Sequence, residues 1–410
     1  MIPLIQDKSV EILLKNKLLQ IDKVICNLET KNDHLGVLNG KGGLILYHAY
    51  MSRYRNPQKH LNHITRLINE AVENVNSGYS QFSFCSGISG FAWTLLQLEK
   101  IKILKNDEIV FLKEIDNYLI SRMNGCLSEK YYDYLHGAIG IGMYFLKKSM
   151  IDDYYKNTVS DLIEKLEIIS INNTENYTYW ETEIDKEKNL TGVNLSLSHG
   201  ISSIIIFLCD VYNSGIQIEK TEKLVRLSVQ FLLTQRRDIH NYDSIFPSTN
   251  YDLLSEDKSR LAWCYGDIGN GLALYKASNT FDRKDWNEVA LNILLHSSKR
   301  RDLMTESIYD AGFCHGTSGL LYIFKKLYNE TKREEFKEAM NFWLNETMKM
   351  AYHEKGFAGY KVWMGEKYGG WKPDSSLLEG ISGIGLVFLS FLIPFSDWDE
   401  CLLLSELNFN

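Results

Sequence analysis

The chain has 410 residues, which is enough for about two or three domains of ordinary size or for one large fold. It is 45% hydrophobic and 24% charged, as expected for a globular protein, and its net charge of −7 argues against a nucleic-acid-binding surface. The 28 glycines and only 5 prolines suit a mainly helical protein in which glycine has a repeated local role.

The N-terminal sequence MIPLIQDKSVE has no basic segment followed by an apolar run, so no secretory signal is predicted. The apolar stretches Ile201–Cys209 and Ile381–Phe395 are shorter than the ~18 residues that span a bilayer, so we expect buried helices and no integral membrane segment. We therefore expect a cytoplasmic protein. In that reducing compartment the seven cysteines are not expected to form a disulfide framework.

One motif, Gly-x-x-Gly at the start of an apolar segment, recurs along the chain. Six copies are complete, and a seventh has Ser203 in place of the second glycine. The first glycines lie 47 to 66 residues apart, at Gly40, Gly87, Gly137, Gly200, Gly266, Gly316 and Gly380. Between motifs, stretches such as HLNHITRLINEAVENV have apolar residues at helical spacing, so each repeat is predicted to be two helices.

In each predicted pair, glycine permits close backbone approach at the start of the apolar helix, which we expect to be buried, with the amphipathic helix outside it. A single pair cannot bury its apolar face alone, and a closed ring of pairs solves that problem. We therefore predict an all-α fold, an α/α toroid of seven helix-hairpin repeats. Its approximately fourteen helices would form an inner and an outer ring, as a single domain over residues 1–410.

Three longer intervals place extra residues before glycine motifs, at about 170–193, 238–259 and 352–373. They are rich in Tyr, Trp, Asn, Asp and Gly, which is typical of loops. If every inner helix starts at the same end of the ring, these loops lie together there and frame the mouth of a cavity. The sequence also predicts a small strand-containing elaboration around Thr178–Glu183.

The residues just before the first glycines differ between copies, and copies three to six place His, Cys and Tyr at this position. Among them, Cys264, Cys314 and His315 offer two thiolates and an imidazole, the ligands that Zn²⁺ prefers, and leave a fourth position open. A buried cysteine is more often a packing residue, so the residues alone favour a zinc site and simple packing about equally.

Neighbouring inner helices are expected to lie about 9 Å apart, so copies five and six can share one ion. Cys85 has the same register as Cys264 but would lie about 20 Å away across such a ring. We therefore interpret Cys85 as a packing residue. The same interpretation applies to Cys26, Cys126, Cys209 and Cys401.

His199 and Asp133 are candidates for proton transfer, because imidazole titrates near neutral pH and a carboxylate can orient it. A histidine that only caps or bridges helix starts is the alternative, and His136 occupies the same register as His199. Arg260 can stabilise a developing enolate or pair with an acidic loop residue, and the sequence leaves both open.

The segments RLAWCYGDIGNG (260–271), FCHGTSG (313–319), SHG (198–200) and DYLHGAIG (133–140) resemble the lanthionine synthetase C-like family, the lantibiotic cyclases. The resemblance covers essentially the whole chain, and the length is similar to that of stand-alone cyclases. It implies that Cys264, Cys314 and His315 bind one Zn²⁺ per chain. It also implies acid–base roles for His199 and Asp133, with Arg260 and Tyr265 lining the site.

The activity implied by the resemblance is intramolecular Michael-type addition of a peptide cysteine to dehydroalanine or dehydrobutyrine, which forms a thioether ring. The substrate would be a dehydrated precursor peptide with its leader. A lanthipeptide dehydratase and an exporter are the further partners implied, with the enzyme cytoplasmic or peripheral to a membrane-associated biosynthetic complex.

Three other functions remain open at the level of sequence. A non-catalytic member of the family would bind zinc and a thiol as an adaptor. A zinc-dependent thiol alkyltransferase on a helical barrel would need a long aromatic lipid tunnel. An α/α-barrel glycosidase would need two cavity carboxylates, of which the sequence indicates only Asp133.

Overall fold

The computed structural model describes residues 8–29, 33–173, 176–239, 241–251, 258–394 and 397–405. The helices within these residues are mostly 12 to 20 residues long and follow one another in pairs along the chain. They are α1 (Lys8–Asn27), α2 (Lys41–Tyr54), α3 (Pro57–Asn76), α4 (Ile88–Lys100), α5 (Leu112–Ser128), α6 (Ala138–Ser149), α7 (Tyr155–Ile169), α8 (Ile201–Asn213), α9 (Ile218–Thr234), α10 (Asp267–Thr280), α11 (Lys284–Ser297), α12 (Thr317–Thr331), α13 (Glu334–Lys349) and α14 (Ile381–Leu389).

Each of the seven glycine motifs begins a helix, as the sequence predicts. The helices α2, α4, α6, α8, α10, α12 and α14 all start one residue after the first glycine of a motif. They are buried along most of their length, as in α10, where every residue from Asp267 to Ser278 is buried. The alternate helices bury one stripe, which in α11 consists of five residues. This difference in burial is the one that the two apolar patterns predict.

Close backbone approach explains why glycine begins these helices. At the start of α8, the preceding loop turns back so that the Ile201 N–H donates to the Asn194 carbonyl at 2.9 Å. A Cβ atom on Gly200 would lie 2.1 Å from that oxygen, which leaves no room for any side chain. Gly266 carries a further requirement, because its φ of 86° falls in the left-handed region that favours glycine.

The chain divides into two compact units. The first contains Met1–Phe111 and Ile308–Ser405, and within it α1 packs with α14, α2 with α3, and α12 with α13. Thus the helix that covers the last motif helix comes from the N-terminal end of the sequence. The Leu378 N–H also donates to the Leu38 carbonyl at 2.9 Å, which joins the seventh motif to the first.

The second unit contains Leu112–Ser307, and within it α6 packs with α7, α8 with α9, and α10 with α11. The Cys264 carbonyl accepts the N–H groups of Leu197 and Ser198 at 2.9 and 3.3 Å. These bonds tie the loop before α10 to the loop before α8. The side chains at the two helix starts are thereby held in fixed positions relative to each other.

The strands are short and form three two-stranded antiparallel sheets in the described residues. The pairs are β1 (Ile171–Asn173) with β2 (Tyr177–Tyr179), β3 (Thr182–Asp185) with β4 (Leu190–Gly192), and β5 (Val362–Trp363) with β6 (Trp371–Lys372). The strands β2 and β3 fall where the sequence predicts a strand-containing elaboration. Part of the predicted 238–259 loop, residues 240 and 252–257, lies outside the described residues. No helix in the described ranges is long and apolar enough to cross a membrane.

Candidate active site and metal ligands

The position four residues before the first glycine has a recurring structural role. In several copies its side-chain oxygen accepts the backbone N–H of the residue just before the glycine, which closes the loop ahead of the buried helix. The residues that do this are Ser83, Asp133, Ser196 and Ser376. Three are serines, and only the third copy has a carboxylate, so a hydroxyl is sufficient for closing the loop.

The carboxylate of Asp133 makes two different contacts. Its Oδ1 accepts the His136 N–H at 2.7 Å, which is the loop contact that serine makes elsewhere. Its Oδ2 lies 2.5 Å from His199 Nδ1, at the start of the next motif helix. The second contact needs a second oxygen, which serine lacks. The structure therefore brings together the two residues that the sequence proposes for proton transfer.

His199 is partly open to solvent and carries a raised pKa. Its side chain is 31% exposed, and that of Asp133 is 11% exposed. Burial lowers the pKa of His199, but the hydrogen bond and charge of Asp133, together with the charge of Cys264, outweigh burial, so the pKa is raised above its ordinary value. With Nδ1 engaged by Asp133, Nε2 is the nitrogen available for chemistry.

The loop before His199 is itself held in place by side chains that the sequence analysis did not single out. The His199 N–H donates to Ser196 Oγ at 3.0 Å, and the Ser196 N–H donates to Asn194 Oδ1 at 2.9 Å. The signal that identifies Ser196 is its register, because it occupies the same motif position as Asp133. Asn194 and Ser196 thus position the histidine through its backbone.

Two further rings lie beside His199. The ring of His136 is nearly parallel to it at a centroid distance of 6.0 Å, and burial lowers the pKa of His136, which favours its neutral form. The ring of Tyr265 is 6.1 Å away, and its hydroxyl accepts a hydrogen bond from Asn194 Nδ2 at 3.3 Å. Burial raises the pKa of Tyr265, so the phenol stays protonated. Of these three rings, His199 is therefore the one with both a hydrogen bond to a carboxylate and a raised imidazole pKa.

The guanidinium of Arg260 has a backbone partner. Its Nη2 donates to the Ser307 carbonyl at 3.3 Å. The side chain is partly exposed. A guanidinium has five N–H donors, and this bond to a carbonyl uses one of them.

A buried ion pair supports the start of α10, and no sequence motif indicated it. Asp267 accepts Arg300 Nη1 at 3.0 Å and also the backbone N–H groups of Ile245 and Phe246, at 3.1 and 2.8 Å. Arg300 in addition contacts Glu306 at 2.5 Å. These bonds anchor the described part of the 238–259 loop beside the residues just before α10.

The predicted zinc ligands lie just before the glycines of copies five and six. The thiols of Cys264, in the second unit, and Cys314, in the first, are buried, with 5% and 8% exposure. His315 is 22% exposed, and its Nδ1 lies 3.7 Å from Glu379 Oε1. A carboxylate beside one ring nitrogen commonly orients a metal-bound imidazole, so the side chains of Cys314, His315 and Glu379 fit zinc chemistry.

The chain is similar to known proteins both in its sequence pattern and in its fold. A family model described as "Lanthionine synthetase C-like protein" matches residues 13–125 and 113–403. The solved structure of nisin cyclase aligns with a TM-score of 0.73 at 20% identity, covering 97% of this chain and 98% of that one.

The structure of a cellobiose 2-epimerase from Bacillus thermoamylovorans aligns at 10% identity with a TM-score of 0.45, over 94% of this chain and 100% of the epimerase chain. At this TM-score the match carries no argument about fold or function. The nisin cyclase match confirms the predicted fold class, an α/α toroid built from helix pairs. With the family model matching most of its length, the chain belongs to the lanthionine synthetase C-like family.

Proposed function

We propose that the protein is a zinc-dependent lanthipeptide cyclase. It catalyses intramolecular addition of peptide cysteine thiolates to dehydroalanine or dehydrobutyrine, which gives lanthionine and methyllanthionine rings. Membership of the lanthionine synthetase C-like family supports this activity. The observation that carries the proposal is the contact between Asp133 and His199, because it gives a partly exposed imidazole a fixed orientation and a raised pKa.

The zinc ligands in this proposal are Cys264, Cys314 and His315, with one ion held by this set. When bound, zinc supplies the positive charge that keeps a coordinating thiol deprotonated near neutral pH. Glu379, 3.7 Å from His315 Nδ1, would orient the imidazole.

His199 acts as the general acid in this mechanism. The peptide thiolate forms a bond to Cβ of the dehydro residue, and the electron pair of the double bond moves to give an enolate. The imidazolium of His199 then delivers a proton to Cα from Nε2, while Asp133 holds Nδ1. The proton lost by the thiol balances the proton gained at Cα, so ring closure leaves the peptide mass unchanged.

Two other residues would line the site. Arg260 would stabilise the negative charge that develops on the enolate oxygen, since its guanidinium donates to the Ser307 carbonyl at 3.3 Å and carries further N–H donors. Tyr265 would keep its phenol protonated and donate to the same region, because burial raises its pKa. The protein is also proposed to form one domain over residues 1–410, with the loops at 170–193, 238–259 and 352–373 at the cavity mouth.

The substrate would be a dehydrated precursor peptide that keeps its leader, made by a lanthipeptide dehydratase and passed to an exporter. The reaction needs free peptide thiols, so we place it in the cytoplasm, where thiols stay reduced.

The direct test is thiol counting on a dehydrated precursor peptide. After incubation with the full-length protein, we expect unchanged peptide mass and fewer cysteines that react with an alkylating reagent. The variant His199→Ala should lose about 10²–10⁴-fold in rate and keep its zinc. A wild-type rate in this variant would reassign the acid to His136. Thiol reactivity that stays unchanged with every peptide offered, alongside thiol binding, would favour the adaptor.

A further inference from the structure

A second group of metal-binding side chains lies in the first unit. Cys26 is on α1, His48 on α2 and His60 on α3, and their donor atoms all lie within 4.8 Å of one another. From the sequence alone we interpret Cys26 as a packing residue, and neither histidine belongs to a glycine motif. None of the three takes part in the proposed cyclase chemistry.

The two histidines are deeply buried and face each other. His48 and His60 are 1% and 0% exposed, and their Nδ1 atoms are 2.9 Å apart. His60 Nε2 has no hydrogen-bond partner among the described residues.

A thiol and a carboxylate complete the group. Asp22, one turn before Cys26 on α1, places its Oδ1 3.6 Å from Cys26 Sγ and 3.7 Å from His60 Nε2. Donor atoms around tetrahedral zinc lie about 3.3–3.6 Å apart, given Zn–N and Zn–S bonds of about 2.0 and 2.3 Å. The two distances from Asp22 Oδ1 are close to these values, and the donor atoms of Cys26, His48 and His60 all lie within 4.8 Å of one another. One thiolate and one carboxylate would also balance the charge of a divalent ion.

The surroundings do not explain the group as ordinary packing. Asp22 is 6% exposed, and besides Cys26 its Oδ1 has the hydroxyl of Tyr47 at 3.4 Å. Burying a carboxylate and two imidazoles beside a half-buried thiol is costly when one imidazole nitrogen has no hydrogen-bond partner among the described residues. A bound cation would repay that cost, because every donor in the group would then have a partner.

We propose that Cys26, His48 and His60, with Asp22 beside them, form a second metal site of the type that takes zinc. It would fasten α1 to the α2–α3 pair. Since α1 also covers α14, the ion would hold together both ends of the chain's repeat series. Soft thiolate with imidazole selects zinc over magnesium or calcium. The site is structural, and it raises the expected zinc content from one ion per chain to two.

Metal analysis of the purified full-length chain tests the proposal. We expect two zinc ions in the wild type, one in Cys26→Ser, one in Cys264→Ala/Cys314→Ala and none in the triple variant. Cys126→Ser, which removes a buried thiol on α5, is the matched control and should keep both ions. Zinc content in Cys26→Ser equal to that of the wild type would overturn the proposal. A Cys264→Ala/Cys314→Ala protein that is folded but contains no zinc would also overturn it.

Cobalt substitution provides a second readout that does not depend on activity. In the Cys264→Ala/Cys314→Ala background, Co²⁺ should give a thiolate-to-cobalt charge-transfer absorption, and this band should vanish when Cys26→Ser is added. His60→Gln gives the same test should Cys26→Ser fail to fold. Absence of the band in the folded double variant would refute the site.

The zinc measurements distinguish failure of the second metal site from failure of the proposed cyclase zinc site. A wild type with one ion that is lost in Cys26→Ser would support the second site and refute the cyclase ligand set. One ion that is lost only in Cys264→Ala/Cys314→Ala would do the reverse.

Discussion

Asp133 contacts His199 through Oδ2, the carboxylate oxygen that does not take part in the loop before α6. Oδ1 accepts the His136 N–H at 2.7 Å, and Oδ2 lies 2.5 Å from His199 Nδ1. At the matching position of copy four, Ser196 makes only the loop contact, at 3.0 Å. The repeat therefore supplies an internal comparison, in which the structural role of this position needs one oxygen and the contact with the histidine needs two.

The comparison between copies predicts opposite effects on stability and on activity for Asp133→Ser. Serine can still accept the His136 N–H, as Ser196 does for its own loop, so the free energy of unfolding should change little. The orienting contact to His199 is lost, and the ring-closing rate should fall by about 100-fold or more. Urea unfolding and alkylation-based rate measurements on the same preparation check this.

The matched control is Ser196→Ala, which removes a loop contact of the same kind without touching Asp133. We expect this variant to lose stability by about 1 kcal/mol, the usual cost of one hydrogen bond, and to keep its zinc. A wild-type ring-closing rate in Asp133→Ser would show that the carboxylate has only the loop role.

The pKa of His199 predicts how the rate depends on pH. The acid form is the imidazolium, so the rate should fall as pH rises through a pKa that lies above the ordinary value of 6.5. Asp133→Asn keeps an oxygen for the His136 N–H and removes the charge that raises this pKa. Burial then dominates, and the alkaline limb of the profile should move to lower pH.

Single-turnover rates measured across pH check this shift, with the zinc content measured in parallel. The limb at low pH, set by deprotonation of the thiol, should stay where it is in Asp133→Asn. The same linkage makes the contribution of His199 to stability complete below pH 6.5 and lost as pH rises through the folded-state pKa. An alkaline limb at the same pH in both proteins would remove His199 as the acid.

The sequence predicts much of the fold because each motif glycine carries a local constraint. A Cβ on Gly200 would meet the Asn194 carbonyl at 2.1 Å, so glycine spacing reports directly where buried helices begin. The pairing of α1 with α14 was not predictable in this way. It joins opposite ends of the chain, and the apolar pattern of α1 says which face is buried without saying what covers it.

The parts of the site that were missed have no fixed spacing in the sequence. Asp267 lies in a motif, but its partner Arg300 is 33 residues away on a loop without any signature. Likewise, Cys26, His48 and His60 come from three helices, at separations that match no metal-binding pattern. Such contacts arise from packing between helices, which residue spacing does not encode.

The proposed zinc ligands predict a sharp difference between two cysteines of the same register. Cys314→Ala should lose one zinc ion and the ring-closing activity, because a thiolate ligand is removed. Cys85→Ala is the control, since Cys85 is also two residues before a motif glycine and is 5% exposed. Its backbone carbonyl bonds to Leu38 and Asn39 survive the substitution.

Metal analysis and thiol counting on both variants decide this prediction. We expect Cys85→Ala to keep wild-type zinc and a rate within about twofold of the wild type, with a modest loss of stability for a small buried side chain. Loss of zinc in Cys85→Ala, or its retention in Cys314→Ala, would contradict the assignment of ligands.

The ion pair between Arg300 and Asp267 predicts a large cost in stability. Their side chains are 6% and 0% exposed, so Arg300→Ala leaves a buried carboxylate without its countercharge. Breaking a buried pair from one side costs about 3–5 kcal/mol, which urea unfolding measures directly. Lys299→Ala removes the neighbouring exposed charge and should change the free energy of unfolding by less than about 0.5 kcal/mol.

A double variant separates the effect of this ion pair on the loop from its effect on the free energy of unfolding. Asp267 also accepts the Ile245 and Phe246 N–H groups, so Arg300→Leu/Asp267→Leu removes the ion pair together with the loop contacts. Replacing both charges with apolar side chains should restore part of the stability that Arg300→Ala loses, because Asp267 no longer carries an uncompensated buried charge and Glu306 keeps Lys258 at 3.0 Å. The loop before α10 should stay loosened, which proteolysis within residues 241–251 would detect. A double variant as unstable as Arg300→Ala would show that the hydrogen bonds to the loop, and not the uncompensated charge, carry the cost.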